Sequence, residues 1–441
     1  MSYSSKHITT MFQSKAITKL AAPLAARAYA SAASAPVVST ANGIKVASVA
    51  DESASPLATI SLVINAGSRF ETAETAGAAH FLKAFGFRNT QSRTSFRTVR
   101  EAELNGASLT AEATRENITY TVECFKDAIP YFVDVLGDIA TATKFAEHEF
   151  RDIAKLVSFE SLSARTAPAT RVLDGVHQAA FRSGLGNSLY ALESSPVTTS
   201  DAVRQYAQSA LTAGRVAIVG TGIDSQALAA LVGESKLATL PAAGSAALST
   251  PASKFTGGVQ QIYESGSPVS HYALAFEAEA STSQALANLL GAQKRMKWNT
   301  GVSPLAKLAV EEGFGIESFS FSYTDAALVG VLVSAPSSQI QKAVEKVAAT
   351  IQKDVASASG ESVQRAVAAT KVDLSEALAT RQGKIQALSQ IALGQKPVTL
   401  ETVDAAAAQL ASAAAKAFKS KPVAAAVGLS QTTPYVDTLG F

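Results

Sequence analysis

A chain of 441 residues is longer than one hydrophobic core usually organises, so two or more domains are expected. Its 47% hydrophobic and 17% charged residues describe a well-buried globular protein, and a formal charge of +2 without a dense basic run argues against nucleic acid as a partner. The single cysteine, Cys124, excludes a disulfide within the chain, and no apolar run approaches the ~20 residues of a membrane helix.

The first fifty residues stand apart. They carry Lys6, Lys15, Lys19, Arg27 and Lys45, many Ser, Thr and Ala, and no acidic residue before Asp51. An acid-free segment with Arg and Ser is the composition of a mitochondrial presequence. Phe12, Ile17, Leu20 and Leu24 make an apolar helix face within it, and "RAYAS" places Arg27 two residues before Tyr29. Residues 1–29 are therefore expected to be a cleaved presequence, with the mature chain starting near Ala30.

The chain then repeats itself once. "SPLATISLVINA" from Ser55 corresponds to "SPVSHYALAFEA" from Ser267, an offset of 212. "NGASLTAEATRENITYTVE" and "FGIESFSFSYTDAALVGVLV" align at Gly106 and Gly315, an offset of 209, and both alternate as strand, turn, strand. "VAIVG" ends on Gly220 and "AAAVG" on Gly428, an offset of 208. Three matches in order at nearly one offset indicate two copies of one unit of roughly 200 residues. The copies are expected over 42–235 and 258–441. Residues 236–257, small and punctuated by Pro, read as a surface linker between them.

Helical faces alternate with the hairpins. Ile129, Phe132, Val133, Leu136 and Ile139 recur every three or four residues, as do Val363, Val367, Thr370, Leu374 and Leu378. Hairpin strands mixed with one-sided helices predict an α+β fold: two homologous domains, each a largely antiparallel sheet covered on one side by helices, related by a pseudo-twofold repeat. Cys124 closes the run Ile118, Tyr120, Val122, Cys124 and is expected as a small buried strand residue.

The chemistry-bearing residues gather in "GAAHFLKAFGF", residues 77–87, expected within a helix over 72–87. An H-x-x-E-H helix binds zinc through two histidines four apart and uses the glutamate as general base. Here His80 keeps the first place, Lys83 stands where the base would be, and Ala84 replaces the second histidine. Ala84 offers no lone pair, and an ammonium beside a cation is repelled by about 1 kcal/mol in water and about 4 at an effective dielectric of 20. Glu160 lies at a distance in sequence that suits a third ligand, but one histidine and one carboxylate do not hold zinc. Glu147, His148 and Glu149 are adjacent and point apart on a helix. Asp174 and His177 share a face as a hydrogen-bonded surface pair. "VGTG" at 219–222 lacks the third glycine of a dinucleotide loop and reads as a strand running into a turn. No catalytic apparatus, cofactor site or metal site is expected from the residues.

"TAGAAHFLKAFGFRNT" resembles the inverted-zinc-motif segment of the mitochondrial processing peptidase family, related to pitrilysin, with Phe87, Arg88 and Thr90 matching the residues after its helix. "LVINAGSRFE" at 62–71 is similar to the family's approach strand. Tyr323, Asp325, Leu328 and Gly330 match its Y-x-D-x-(G/A)-L-x-G hairpin. The resemblance runs from about residue 42 to the C-terminus. With Lys83 and Ala84 in place it implies a non-peptidase member: either a core protein of the ubiquinol–cytochrome c reductase complex or the presequence-binding alpha subunit of the processing peptidase. The alpha subunit's polyglycine loop has no counterpart here beyond "TGG" at 256–258, so the core proteins are the nearer likeness. That likeness implies a structural subunit without a redox centre, peripheral on the matrix side of the mitochondrial inner membrane. Its implied partners are core protein I, cytochrome b, cytochrome c1 and the iron–sulfur protein in a dimeric complex.

Overall fold

The computed structural model describes residues 37–40, 43–50, 55–242, 248, 252–264, 266–292, 303–358 and 360–441. The expected presequence, 1–29, lies outside the described residues. The first copy contains β1 (Val37–Ser39), β2 (Lys45–Val49), β3 (Leu57–Ile64), α1 (Ala78–Ala84), α2 (Ser95–Leu104), β4 (Ser108–Ala113) and β5 (Ile118–Phe125). It continues with α3 (Ile129–Ala142), α4 (Glu147–Thr166), α5 (Pro168–Phe181), α6 (Ser200–Ala210), β6 (Val216–Thr221) and α7 (Ser225–Glu234). The second copy contains β7 (Val259–Tyr263), β8 (Val269–Ala278), α8 (Ala280–Leu290), α9 (Pro304–Glu312), β9 (Gly315–Ser322) and β10 (Ala327–Pro336). It ends with α10 (Ile340–Thr350), α11 (Glu361–Ala379), α12 (Arg381–Ala392), α13 (Leu400–Ala407), α14 (Leu410–Phe418) and β11 (Val423–Gly428).

The sheets run β1-β2-β6-β3-β5-β4 and β7-β11-β8-β10-β9. The repeat is thus structural: β3 corresponds to β8, the β4–β5 hairpin to β9–β10, and β6 to β11. Even the parallel pairs recur, β2 beside β6 and β7 beside β11 in otherwise antiparallel sheets. Each sheet packs one face on helices of its own copy. Phe132, Leu136 and Ile153 cover Ile60, Leu62 and Tyr120 in the first core, and Val344, Val347 and Phe418 cover Leu274 and Phe276 in the second.

The expected one-sided layer is completed from the other copy. Val172, Val176 and Ala180 of α5 pack on Ala273, Leu328 and Ala425 of the second sheet. Ile385, Leu388 and Ala392 of α12 pack on Val63, Ala217 and Val219 of the first. The exchange explains why β6 and β11 are buried at every position, where alternation would leave one face wet. Gly175 permits the closest approach, since a β-carbon there would stand 2.8 Å from the Gln260 amide oxygen and 3.2 Å from the Ala425 methyl.

Two boundaries differ from expectation. Residues 236–240 are not surface linker: Lys236–Thr239 forms a 3-10 turn, and Leu237 and Leu240 are buried in the first core. Lys236 pairs there with Asp138, which is itself buried, so a charge partner and an apolar anchor draw the segment in. The helix expected over 72–87 is shortened to Ala78–Ala84. Gly77 precedes it with φ of 93°, and Phe87 follows with φ of 59°, so neither end can continue the helix.

Candidate functional site

Helix α1 carries five apolar residues, Ala78, Ala79, Phe81, Leu82 and Ala84, that bury against the first core, and His80 is buried with them. Phe81 stacks on Phe150 of α4 at 5.2 Å between ring centres, which holds the two helices together. This packing brings Glu160, nearly two turns before the end of α4, over the polar edge of α1. The Glu71 carboxylate accepts from the backbone N–H groups of Gly77 and Ala79 at 2.9 and 2.8 Å and caps the helix start. Burial pushes that carboxyl up to about 7 against those two hydrogen bonds.

His80 is committed at both ring nitrogens. Its Nδ1 accepts from the Ala191 backbone N–H at 3.1 Å, so Nε2 carries the proton and donates to Glu160 Oε2 at 2.7 Å. Burial holds the imidazole pKa below its ordinary value, outweighing the pull of Glu160, so the ring is neutral at pH 7. Lys83 Nζ donates to the same Oε2 at 2.7 Å. Burial would raise the Glu160 carboxyl, but Lys83 and His80 hold it below the ordinary range, and it stands ionised between two donors.

This donor set does not fit a catalytic zinc ion. Such a site needs three protein ligands with free lone pairs and an open position for water. Here the imidazole nitrogen facing the carboxylate is protonated, Ala84 has no donor atom, and an ammonium fills the place beside Glu160. Lys83 is a cation held by its partner, so it offers no base to activate water. Among the described residues no group of three His, Cys, Asp or Glu side chains could hold a metal ion.

The other expected residues are scattered. Glu147 and Glu149 accept from the backbone N–H groups of Ser200 and Asn89 and serve packing. Asp174 and His177 do not form a surface pair. His177 is fully buried, donates from Nδ1 to the Leu173 carbonyl at 2.7 Å, and accepts at Nε2 from the Tyr323 hydroxyl at 2.7 Å. Asp174 pairs instead with Arg115 at 2.5 Å. The reason is the helix exchange: α5 faces the second sheet, so its inner histidine meets a tyrosine of the other copy.

Sequence reasoning missed the polar junction formed where the two hairpin tips meet. Arg69 bridges Glu116 of the first hairpin at 2.7 Å and Asp325 of the second at 2.5 Å. Thr324 donates to Glu116 through its hydroxyl at 2.7 Å and its backbone N–H at 3.1 Å. Arg69 holds the Asp325 carboxyl below its ordinary range, although burial acts to raise it. The available signal was positional, since residues 115–116 and 323–325 occupy the same turn of the two repeats.

The sequence matches the insulinase family (peptidase family M16) over residues 45–192 and the peptidase M16 inactive domain over residues 198–370. It is 33% identical over 411 residues to cytochrome b-c1 complex subunit 2, mitochondrial, of Cryptococcus neoformans var. grubii, covering 91% of this chain and 94% of that one. The chain belongs to peptidase family M16. The protein of the same name from Neurospora crassa is 32% identical over 441 residues, with 95% of each chain covered. The human one is 28% identical over 418 residues, with 90% of each covered. Correspondence along the whole length agrees with the two-copy architecture and with a family member whose peptidase machinery is degenerate. No helix among the described residues is long and apolar enough to cross a membrane.

Proposed function

We propose that the chain is a non-catalytic core subunit, subunit 2, of the mitochondrial cytochrome b-c1 complex, the ubiquinol–cytochrome c reductase of the respiratory chain. The observation that carries this is full-length similarity to relatives bearing that name, and the Lys83–Glu160 pair is consistent with it. The subunit holds no zinc, because His80, Lys83 and Ala84 leave no metal-ligating set. Its work is burial and support: a large rigid body whose surface holds other subunits in place.

In this reading the partners are core protein I, cytochrome b, cytochrome c1 and the iron–sulfur protein. The subunit sits peripherally on the matrix side of the inner membrane. The segment 1–29 directs import and is removed, leaving a first copy that runs from about residue 42 through Leu240 and a second over 258–441. The test is isolation of the detergent-solubilised native particle through a tag on this chain. Co-purification of haem-bearing cytochrome subunits is expected. Recovery of a soluble two-subunit peptidase instead would assign the chain as the alpha-type, presequence-binding subunit of the processing peptidase.

A further inference from the structure

Among the described residues, the second sheet is one strand short of the first. In the first copy β2 lies between β6 and β1, whereas its counterpart β7 pairs with β11 alone and forms an open edge. The ladder fixes which groups face outward. The Gly258 carbonyl accepts from the Ala424 N–H and the Glu264 N–H donates to the Gly428 carbonyl, so residues 258, 260, 262 and 264 point at β11. The N–H and C=O groups of Val259, Gln261 and Tyr263 point away from it and have no partner among the described residues.

The matching positions of the first copy are all served. Pairing to β6 and β11 sets Ile44, Val46 and Ser48 in register with Val259, Gln261 and Tyr263. The Ile44 carbonyl accepts from the Thr40 N–H at 2.9 Å, and Val46 pairs with Val38 of β1. The Ser225 hydroxyl takes the Ser48 N–H at 2.9 Å and donates to its carbonyl at 2.8 Å. The residues before β7 do no such work for the second copy. The Thr256 N–H is held by the Ala180 carbonyl of α5 at 2.8 Å and the Ser253 N–H by Asp325 at 2.8 Å, so that stretch follows the exchanged helix away from the edge.

What complements such an edge is a polypeptide main chain, because an extended strand presents N–H and C=O groups together every ~6.8 Å. With only five residues, β7 offers room for a single segment and far less than the roughly 800 Å² per partner of a stable contact between whole proteins. We propose that β7 takes up an extended segment of a different subunit as an antiparallel strand, in the place that β1 holds in the first copy. The segment carries apolar side chains opposite Val259 and Tyr263, which are 47% and 57% exposed. Opposite Gln261, whose amide nitrogen is buried without an acceptor, it carries a side chain that accepts a hydrogen bond. So short a contact needs its segment delivered by an assembled neighbour, and therefore rests on the assembly reading above.

The experiment compares hydrogen exchange at single amides of β7 in the purified chain and in the native particle. In the purified chain Val259, Gln261 and Tyr263 should exchange fast, and Gln260 and Ile262 slowly. In the particle the first three should slow by roughly tenfold or more. A photoreactive benzoylphenylalanine in place of Tyr263 should link to one segment of another subunit, with apolar residues on either side of an acceptor at alternate positions. Gln261→Pro removes an outward donor and leaves the β11 ladder whole, so the purified variant should melt near the parent while protection and link are lost in the particle. Ile262→Pro breaks that ladder and should melt well below both. Four results would overturn the proposal: fast exchange of the three amides in a particle that contains the cytochromes, a link to a second copy of this chain, protection that survives Gln261→Pro, or a Gln261→Pro chain as unstable as Ile262→Pro. Protection with the expected link in a particle without cytochromes would leave the added strand standing and remove the assembly reading.

Discussion

The polar cluster on α1 and the polar junction between the hairpin tips share a vocabulary of buried charges, yet they differ in what depends on them. His80, Lys83 and Glu160 all belong to the first copy, and their ion pair is reached by water, with Lys83 20% and Glu160 31% exposed. Arg69 and Glu116 are only 8% and 11% exposed, and through Asp325 they tie residues far apart in sequence into one body. Removing a partner from the first cluster leaves a charge that solvent can serve. Removing one from the second leaves a buried charge short of a partner, out of reach of water, at the point where the two copies meet. A site freed from catalysis tolerates change, whereas a scaffold's sensitivity moves to its internal junctions.

The largest effect is expected where the exchanged helix covers the second sheet. Leu328 is fully buried against α5, so Leu328→Asp places an unpaired carboxylate between the copies at a cost of several kcal/mol. That is a large share of a domain stability of ~5–15 kcal/mol. The chain should fail to accumulate, and native gels should show the whole complex depleted. Normal abundance would mean that the copies do not depend on that contact.

Next comes the junction itself. Glu116→Ala leaves Arg69 with Asp325 as its one remaining carboxylate and the Thr324 donors unpaired, and about 2–3 kcal/mol of stability should be lost in urea unfolding of the purified chain. Replacing both partners, Arg69→Met with Glu116→Leu, should recover much of it. Equal losses in the single and double variants would show that the pair is not coupled.

The repeat that creates this junction was legible in the sequence because it rests on local patterns. The Ser-Pro starts at Ser55 and Ser267 open β3 and β8, and the alternating runs open the two hairpins. The degenerate motif was legible too, since Lys83 and Ala84 are read directly. What sequence could not give was the destination of a helical face. The apolar stripe of α5 says that it buries something, but its period is the same whether it covers its own sheet or the other copy's. For that reason His177 read as a surface residue, and Arg69 gave no sign of a partner some 250 residues away. The end of α1 was missed for another reason: Phe87 adopts positive φ because tertiary packing sets its ring edge-on against Tyr120, at 6.0 Å between ring centres.

His177 supplies a pH test of the junction. Burial, aided by the Arg115 charge and opposed by the Leu173 hydrogen bond, lowers its pKa to about 3 from an ordinary 6.5. Between those values the unfolded chain binds a proton that the folded chain refuses. Stability is therefore full above about 6.5 and falls by a few kcal/mol as pH drops toward 3. Thermal melts should show this slope, and His177→Gln should flatten it. An unchanged slope would place the acid sensitivity elsewhere.

The smallest effect is expected on α1. Glu160→Gln keeps an acceptor for His80 and releases Lys83 to solvent, so the melting curve should shift by no more than ~1 kcal/mol. A loss as large as that of Glu116→Ala would erase the contrast between the two clusters.

The most direct test of a non-catalytic, structural role is electron transfer per assembled complex in a His80→Ala strain. His80 touches Glu160 and the Ala191 N–H, and neither contact lies on a catalytic path in this account. Assembly should fall only modestly, by the ~1–3 kcal/mol that a buried hydrogen-bonded side chain can cost the chain. Turnover normalised to haem should match the parent. A His80→Ala complex that assembles in full but turns over slowly would contradict the account.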